Sequence, residues 1–183
     1  PLGGLGDGGA VVAKDSSRLE RARQIARHGQ KRKYEHEVLG VNSRLDPIQA
    51  AALSIKLKHL EASIHSKSAL AASYFNELSG CKNLTLPAKR EGSNHVFHQF
   101  TLIIGDNKRD SLREFLKERG ISTMVYYPIP LNQQPAYKHF TARVDLRHSE
   151  SLSEQVLSIP IHDALSQEEV LLVAKSINEY FEI

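Results

Sequence analysis

The stretch GVNSRLDPIQAA, residues 40–51, joins an irregular polar segment to a strong helix start. Asp46 offers an oxygen acceptor at the N-cap, Pro47 suits the first helical position, and Gln49 stands at the capping-box position. After Pro47 no Gly or Pro interrupts the chain before Gly80, and leucines recur at helical spacing. The pattern predicts one long helix over about residues 47–79.

Upstream of this stretch, residues 3–12 read GGLGDGGAVV, with five glycines in ten positions. Taken alone, this run favours a glycine-rich hairpin. It lacks the strand before it and the helix directly after it that a dinucleotide-binding fold requires, and it has no Lys-Ser/Thr pair of a phosphate loop. Residues 9–13 predict a short strand. Asp15 predicts the cap of a helix that runs to about Arg27, and Gly29 ends that helix.

Downstream of the long helix, the chain alternates short strands and helices. Alternating apolar residues predict strands at 84–86, 96–104 and 123–127. Helices are predicted at 110–119 and 152–157, and a capping box that begins at Ser166 predicts a last helix to about residue 181. Strands and helices that share one small sheet indicate an α+β domain.

The composition narrows the class of protein. Of 183 residues, 25% are charged and 40% hydrophobic, and the net charge is +3, which indicates a globular chain. Because the basic residues are interspersed with acidic ones, we expect no nucleic-acid partner. No apolar run reaches membrane-spanning length and no signal peptide opens the chain, so we expect no membrane association.

Cysteine and histidine usage add two expectations. Cys81 is the single cysteine of the chain, which excludes an internal disulfide and favours a reducing compartment, the cytoplasm. His95 and His98 lie three residues apart on a predicted strand, so their side chains are expected on opposite faces. We therefore expect no metal site.

Three stretches of the chain together resemble a known family. They are GGLGDGGAVV at 3–12, HGQKRKYEHEVLGVNSRLDPIQAA at 28–51 and YYPIPLNQQPAY at 126–137. They are similar to the DegT/DnrJ/EryC1/StrS sugar aminotransferases, whose pattern reads K-x-L-G-x-x-G-D-G-G-A, then H-G, then G-x-N-x-R-L-D-x-x-Q-A-A, then Y-P-x-P-L. The resemblance covers essentially the whole chain, and it implies the aspartate-aminotransferase fold, fold type I.

The resemblance also implies how the chain is divided. The family lysine that forms a Schiff base with pyridoxal 5′-phosphate stands two residues before the Leu that matches Leu2, so it is expected directly before Pro1. The chain then corresponds to the C-terminal half of a protein about twice as long, and holds no catalytic lysine itself. Residues 1–45 are expected to end the large cofactor-binding domain, 46–80 to form a long linking helix, and 81–183 to form the small α+β domain.

By resemblance, the full-length subunit uses pyridoxal 5′-phosphate to move an amino group from an amino acid, usually glutamate, to a nucleotide-linked keto-sugar. The Y-P-I-P-L version of the last motif resembles relatives that act on 3-keto sugars, including N-acetylated and uronic-acid sugars of surface polysaccharides. The family also implies a homodimer whose active sites are shared across the interface.

Two residues of the 40–51 stretch match family residues that bind phosphate or substrate. Asn42 matches the Asn that reaches across the dimer to the partner's cofactor phosphate, and an amide N–H suits that contact. On its own, without the motif, Asn42 is more typical of a loop residue in a turn. Arg44 matches an Arg that can bind a diphosphate or a sugar carboxylate in a bidentate fork, with a surface salt bridge to Asp46 as the alternative.

Three residues before this stretch are implied to lie near the sugar nucleotide of the neighbouring subunit. Arg27 and His28 occupy the positions that family members use there. His28 can equally cap the preceding helix through its last carbonyls. Tyr34 is expected to stack or hydrogen-bond in the same region.

Tyr126 and Tyr127 match the family segment that approaches the sugar. Many relatives have His-Tyr-Pro where this chain has Tyr126-Tyr127-Pro128, and Asn132 replaces another frequent His. With a pKa near 10, a phenol carries protons poorly at neutral pH, so we expect Tyr126 to bind substrate rather than to act as an acid or base. Packing of both rings in the core of the sheet is the alternative.

Two other readings differ in the residue expected before Pro1. A His there implies a sugar dehydratase of the same fold, in which His replaces the lysine. A genuine start at Pro1 implies a non-catalytic module that binds a sugar nucleotide or forms a dimer. A Lys implies amino transfer.

Overall fold

The computed structural model describes residues 2–137 and 145–182 of the chain. By its internal contacts the chain divides into two units, residues 1–60 and 61–183. Both predicted element types are present, so the mixed α and β class is confirmed. The division at residues 45 and 80 that the family implies stays a prediction.

The first unit contains two helices and a small hairpin. Helix α1 is Ser16–Ala26, strands β1 and β2 are Gln30–Arg32 and Glu35–His36, and helix α2 is Pro47–Leu57. The Asp15 side chain caps α1 by accepting from the Ser17 N–H, as the sequence predicts. The strand predicted at 9–13 is wrong, because those residues make no strand pairing.

The first unit has almost no buried side chains. Among its described residues only Gly29 is buried, and every residue of α2 is at least partly exposed. Large apolar side chains such as Ile48 and Ile55 are 77% and 61% exposed. The hydrogen bonds between its loops, rather than an apolar core, therefore define its local geometry.

The predicted single long helix is two helices in the structure. Helix α3, Leu60–Leu78, follows α2 after Lys58 and His59. The N–H groups of Lys58 and His59 donate to the carbonyls of Ile55 and Lys56, three residues back, at 3.1 and 3.0 Å. This tightening to 3₁₀-type bonds interrupts the α-helix without a Gly or Pro to signal it.

The second unit is built on a three-stranded antiparallel sheet in the order β3-β4-β5. The strands are β3 Leu84–Thr85, β4 Phe100–Ile104 and β5 Val156–Ile159, and Leu102 pairs with Leu157 across the last two. Strand β4 starts later than predicted, because Phe97 has a φ of +45° and leaves the extended region. Residues 123–127 form only a bridge from Met124 to Ser158, so the predicted strand there is wrong.

The second unit also contains three further α-helices. They are α4 Arg109–Glu118, α5 Arg147–Gln155 and α6 Gln167–Phe181. The capping box at Ser166 and Glu169 is confirmed, with both reciprocal hydrogen bonds present. Helix α5 is longer than the predicted helix at 152–157, and β5 begins where that prediction still placed helix. No helix among the described residues is both long and apolar enough to cross a membrane.

The core of the second unit lies between the sheet and the helices. Strand β4 buries alternate side chains, whereas all four residues of β5 are buried. The Phe100 ring lies 5.0 Å from the ring of Tyr74 and 5.2 Å from that of Phe75. The largest fully buried side chains are those of Tyr74, Phe97, Phe100, Leu78, Leu102, Ile104, Leu112, Leu116, Leu157, Ile177 and Val170.

Arg109 stabilises the junction at which α5 ends and β5 begins without a connecting loop. Its Nη1 donates to the carbonyls of Ser153 at 3.1 Å and Val156 at 3.4 Å. These carbonyls lie at the end of α5, where intrahelical partners run out. Because the Arg109 side chain is only 12% exposed, both bonds are largely shielded from water.

Tyr74 provides a test of this core at alkaline pH. Its hydroxyl donates to the Pro160 carbonyl at 2.9 Å, and burial raises the pKa of its phenol above the usual value. Above about pH 10 the unfolded chain releases this proton while the folded chain retains it, so the free energy of unfolding falls by up to about 1.4 kcal/mol per pH unit.

We expect Tyr74→Phe to lower the free energy of unfolding at pH 7 by about 1 kcal/mol, from the lost hydrogen bond. We also expect the variant to lose part of the wild-type decline above pH 10. Denaturant titrations at pH 7 to 11 measure both effects. Tyr180→Phe, which removes a surface hydrogen bond to Ser111, is the matched control and should keep the alkaline decline. Equal declines in wild type and Tyr74→Phe would contradict the assignment.

Candidate functional site

Two glycines let the chain cross itself at the end of α1. A Cβ added at Gly29 would lie 1.7 Å from the Val38 carbonyl oxygen, and one added at Gly40 would lie 2.2 Å from the Gly29 nitrogen. Gly29 also has a φ of +74°, which other residues rarely adopt. The H-G and G-x-N motifs therefore meet in space through bare backbone.

This crossing brings Arg27 and Asn42 side by side. The two residues form an antiparallel bridge, flanked by hydrogen bonds from the Val41 N–H to the Ile25 carbonyl at 2.8 Å and from the Ser43 N–H to the Ala26 carbonyl at 2.9 Å. Directly opposed residues of such a bridge project their side chains to the same side. The structure thus groups two of the predicted site residues that lie fifteen positions apart in sequence.

Arg44 completes this group through a side-chain contact. Its Nε donates to Asn42 Oδ1 at 3.1 Å. Because the Asn42 oxygen is engaged, its Nδ2 group is oriented as the donor, and no described residue accepts a hydrogen bond from it. Arg44 makes no ion pair with Asp46 among the described residues, so the salt-bridge alternative is not what the structure shows. The group presents an amide donor and two guanidinium groups.

His28 follows Arg27 at the crossing, with an exposed side chain and a φ of +61°. The helix end is closed by the backbone N–H groups of Arg27 and Gly29, which both donate to the Gln24 carbonyl. The imidazole therefore does not cap α1. The His28 carbonyl accepts from His36 Nδ1 at 2.8 Å, which ties the residue to strand β2.

Tyr34 lies at the turn of the β1–β2 hairpin, 81% exposed. The Lys33 ammonium stands 5.1 Å from the centre of its ring. Lys31 and Glu37 form an ion pair of 2.7 Å across the hairpin; this hydrogen bond raises the pKa of Lys31 and lowers that of Glu37. The structure presents the Tyr34 ring to solvent and records no contact of it with Arg27 or Asn42.

Tyr126 and Tyr127 lie in the second unit, after the Met124–Ser158 bridge. Tyr126 is 37% and Tyr127 72% exposed, so neither packs in the core of the sheet. Their ring centres are 5.6 Å apart in an edge-to-face arrangement. Core packing, the alternative reading for this pair, is therefore wrong.

A cavity of about 620 Å³ opens beside these two rings and is lined mainly by apolar groups. Leu131 and Leu152 contribute apolar surface, and Asn132 contributes an amide. Asn132 Nδ2 donates to Glu150 Oε1 at 2.8 Å, which fixes the amide orientation. The sequence identified Asn132 only as a replacement for His. Glu150 was not predicted as its partner, because the two residues lie eighteen positions apart.

The described residues include no group of three or more His, Cys, Asp or Glu side chains that could hold a metal ion. His95 and His98 precede β4 rather than lie on a strand, so their predicted placement on opposite strand faces is wrong. His95 Nδ1 instead accepts from the Phe97 N–H at 3.0 Å.

Comparison with known proteins identifies the family and the fold. Residues 2–178 match the model of the DegT/DnrJ/EryC1/StrS aminotransferase family. A Streptomyces venezuelae protein named dTDP-3-amino-3,4,6-trideoxy-α-D-glucose transaminase is 41% identical over 99% of this chain and 48% of its own length. An Acidithiobacillus ferrooxidans protein named UDP-N-acetyl-3-dehydro-α-D-glucosamine 3-aminotransferase is 39% identical over 94% of this chain and 46% of its own length.

A solved structure shows the same fold. The crystal structure of DesV from S. venezuelae superposes with a TM-score of 0.93 at 41% identity, over 99% of this chain and 48% of that one. The protein belongs to the DegT/DnrJ/EryC1/StrS aminotransferase family, and the expected fold class is confirmed. The chain spans about half the length of these relatives.

The crossing of Gly29 and Gly40 yields a direct test. We expect Gly40→Ala to destabilise the segment 25–43 by about 1–3 kcal/mol, because the added methyl group has no space beside the Gly29 backbone. Amide hydrogen exchange at Val41 and Ser43 should accelerate in proportion. Gly80→Ala is the matched control, since nothing lies within 4 Å of a Cβ there. Unchanged protection in Gly40→Ala would show that the crossing is looser than described.

Proposed function

We propose that the full-length subunit is a pyridoxal 5′-phosphate-dependent aminotransferase that moves an amino group from glutamate to a nucleotide-linked 3-keto sugar. The observation that carries the proposal is the group formed by Arg27, Asn42 and Arg44 in a member of this family. An amide donor beside two guanidinium groups suits a site for phosphate groups, because each supplies N–H donors with no competing carboxylate in the group.

The residues present fit the cofactor at Asn42. Its oxygen accepts from Arg44 Nε, and this contact directs its NH₂ outward as a donor. A neutral amide donates to a phosphate oxygen without the desolvation of a full charge. Pyridoxal 5′-phosphate, when bound, serves as the electron sink that allows a proton to leave the α-carbon of the amino acid. The lysine that would hold the cofactor is expected directly before Pro1, outside the residues that the structure describes.

The cationic group favours a sugar nucleotide as amino acceptor. Arg27 and Arg44 are exposed and can neutralise the two negative charges of a diphosphate. His28 stands beside Arg27 with its imidazole exposed, and we assign it to hydrogen bonds with the same ligand. Tyr34, at the tip of the hairpin, is assigned to stacking or hydrogen bonding with it.

Tyr126 and Tyr127 are assigned to the sugar. Their exposed rings offer an apolar face and a phenol that donates to or accepts from a hydroxyl group. Neither residue needs to exchange a proton at neutral pH. A sugar ring has both polar hydroxyl groups and apolar C–H groups. The adjoining cavity offers partners for both, because it is lined by apolar side chains and by the Asn132 amide, which Glu150 holds in place.

The names of both relatives place the amino group on carbon 3 of the sugar, which supports the same position here. The nucleotides in these names differ, and the group in the first unit recognises phosphate rather than base. We further propose a homodimer in which Asn42 serves the partner subunit's cofactor, acting in the cytoplasm, a compartment that suits a lone cysteine.

The decisive experiment incubates the purified full-length subunit with pyridoxal 5′-phosphate, L-glutamate and 3-keto sugars linked to UDP or dTDP. The proposal expects 2-oxoglutarate and a 3-amino sugar in equal amounts. The matched 4-keto sugars are the control. Amination of the 4-keto sugars alone would contradict the assigned position. Dehydration without amino transfer would favour the dehydratase reading, and binding without turnover the non-catalytic one.

We expect Asn42→Ala to weaken retention of pyridoxal 5′-phosphate about tenfold, because one hydrogen bond to a charged phosphate is lost. The measurement is the equilibrium dissociation constant of the cofactor for the full-length subunit. Asn76→Ala, at an exposed position of α3, is the matched control. Equal cofactor affinity in Asn42→Ala and wild type would remove Asn42 from the site.

Tyr126→Phe separates binding from proton transfer. We expect KM for the nucleotide sugar to rise about threefold to tenfold with kcat little changed, because the phenol contributes one hydrogen bond to substrate. A fall in kcat of about a hundredfold or more would instead identify Tyr126 as an acid or base. Steady-state kinetics of wild type, Tyr126→Phe and Tyr127→Phe give the comparison.

A further inference from the structure

Gln49, which the sequence places at a capping-box position, has a different partner in the structure. Asp46 makes no side-chain capping bond to α2, and the Gln49 side chain extends to the glycine-rich segment instead. Its Oε1 accepts from the Leu5 N–H at 2.7 Å, and its Nε2 donates to the Asp7 carbonyl at 3.4 Å. One amide therefore bridges a donor and an acceptor of an irregular backbone more than forty residues away.

Lys56, two turns further along α2, contacts the same segment at Gly3, two residues before Leu5. Its Nζ donates to the Gly3 carbonyl at 2.7 Å. The bonds from α2 therefore reach Gly3, Leu5 and Asp7, alternate residues of one short stretch. None of these residues belongs to a strand or helix, so the two side chains supply the hydrogen bonds that regular structure would otherwise provide.

Two of the five glycines of the segment, Gly4 and Gly6, lie against the Gln49 amide. A Cβ at Gly4 would lie 3.0 Å from Gln49 Oε1, and one at Gly6 would lie 2.9 Å from Gln49 Nε2. A Cβ at Gly8 would lie 3.3 Å from the Leu45 side chain. Bare backbone at Gly4 and Gly6 thus leaves room for the Gln49 amide to reach the Leu5 N–H and the Asp7 carbonyl.

We propose that Gln49 and Lys56 are positioning residues that fix the backbone which follows the cofactor-binding lysine. The inference rests on the proposed function, because it places that lysine directly before Pro1. Gly3 is then three residues from the lysine, and its carbonyl is held by Lys56. In the step concerned, the lysine amine attacks the aldehyde carbon of pyridoxal 5′-phosphate, a carbon–nitrogen double bond forms, and one water molecule leaves. A fixed backbone holds the amine near that carbon.

The test compares two forms of the cofactor on the full-length subunit stripped of cofactor. Pyridoxal 5′-phosphate can bond covalently to the lysine, whereas pyridoxamine 5′-phosphate binds through the same phosphate and ring without that bond. We expect Gln49→Leu to slow the absorbance change of covalent capture about tenfold, since two hydrogen bonds to the segment are lost. Affinity for pyridoxamine 5′-phosphate should stay within about twofold of wild type.

Three variants sharpen the result. Gln49→Glu keeps the acceptor for the Leu5 N–H and loses the donor to Asp7, so it should fall between wild type and Gln49→Leu. Lys56→Met should slow capture in the same selective way. Gln167→Leu removes a glutamine whose side chain donates to Ser73 in the second unit, and it should leave capture unchanged. Amide exchange at Leu5 should accelerate in Gln49→Leu and stay unchanged in Gln167→Leu.

Each outcome separates the inference from the function on which it rests. If wild type does not capture pyridoxal 5′-phosphate, the proposed function fails. If wild type captures it and Gln49→Leu does so equally fast, the positioning role is overturned and the function stands. If Gln49→Leu weakens both cofactor forms equally, the contact supports the fold rather than the lysine, and the positioning role is likewise overturned.

Discussion

The candidate site depends on the contact between the backbones of Gly29 and Gly40. With no side chain at either position, the end of α1 and the segment before α2 approach closely enough to exchange hydrogen bonds directly. Arg27 and Asn42 become neighbours through that approach, and Arg44 then contacts Asn42. A Cβ at either glycine would separate the two backbone segments that carry these groups. The glycines of the H-G and G-x-N motifs thus act on the site through geometry rather than chemistry.

A second contact of the same kind links Gln49 to the glycine-rich segment. In both places a glycine removes a steric barrier, and a polar group supplies the hydrogen bonds that an irregular backbone needs. The first unit buries almost nothing, so these contacts define its local structure. The second unit behaves in the opposite way, since a core around Phe100 and Leu157 supports the surface that carries Tyr126 and Tyr127.

The sequence predicted correctly the helix starts that are fixed by hydrogen bonds within a few residues. The caps at Asp15 and Ser166 lie where expected, because a capping side chain acts within three residues of itself. Strand β5 was missed because all four of its residues are buried, which removes the alternation that identifies a strand. The break at Lys58 and His59 carries no Gly or Pro. The residues at 123–127 have strand composition but obtain only one bridge from the sheet.

The predicted site residues could be named from motifs, but their grouping could not. The pairing of Arg27 with Asn42 depends on a crossing between distant glycines, and the orientation of the Asn132 amide depends on Glu150. Gln49 was assigned to a cap because short-range spacing says nothing of a partner more than forty residues away. When a glycine-rich motif and a polar residue of a second motif both lack a local partner, a contact between the two motifs is the structure to expect.

The central proposal is that, in the full-length subunit, the residue directly before Pro1 is a lysine that binds pyridoxal 5′-phosphate. The most direct measurement treats the full-length subunit with pyridoxal 5′-phosphate, reduces the carbon–nitrogen double bond with borohydride, and locates the modified residue by peptide mass spectrometry. The account predicts a single modified lysine, directly before Pro1. Modification at another position, or a residue other than lysine before Pro1, would contradict it.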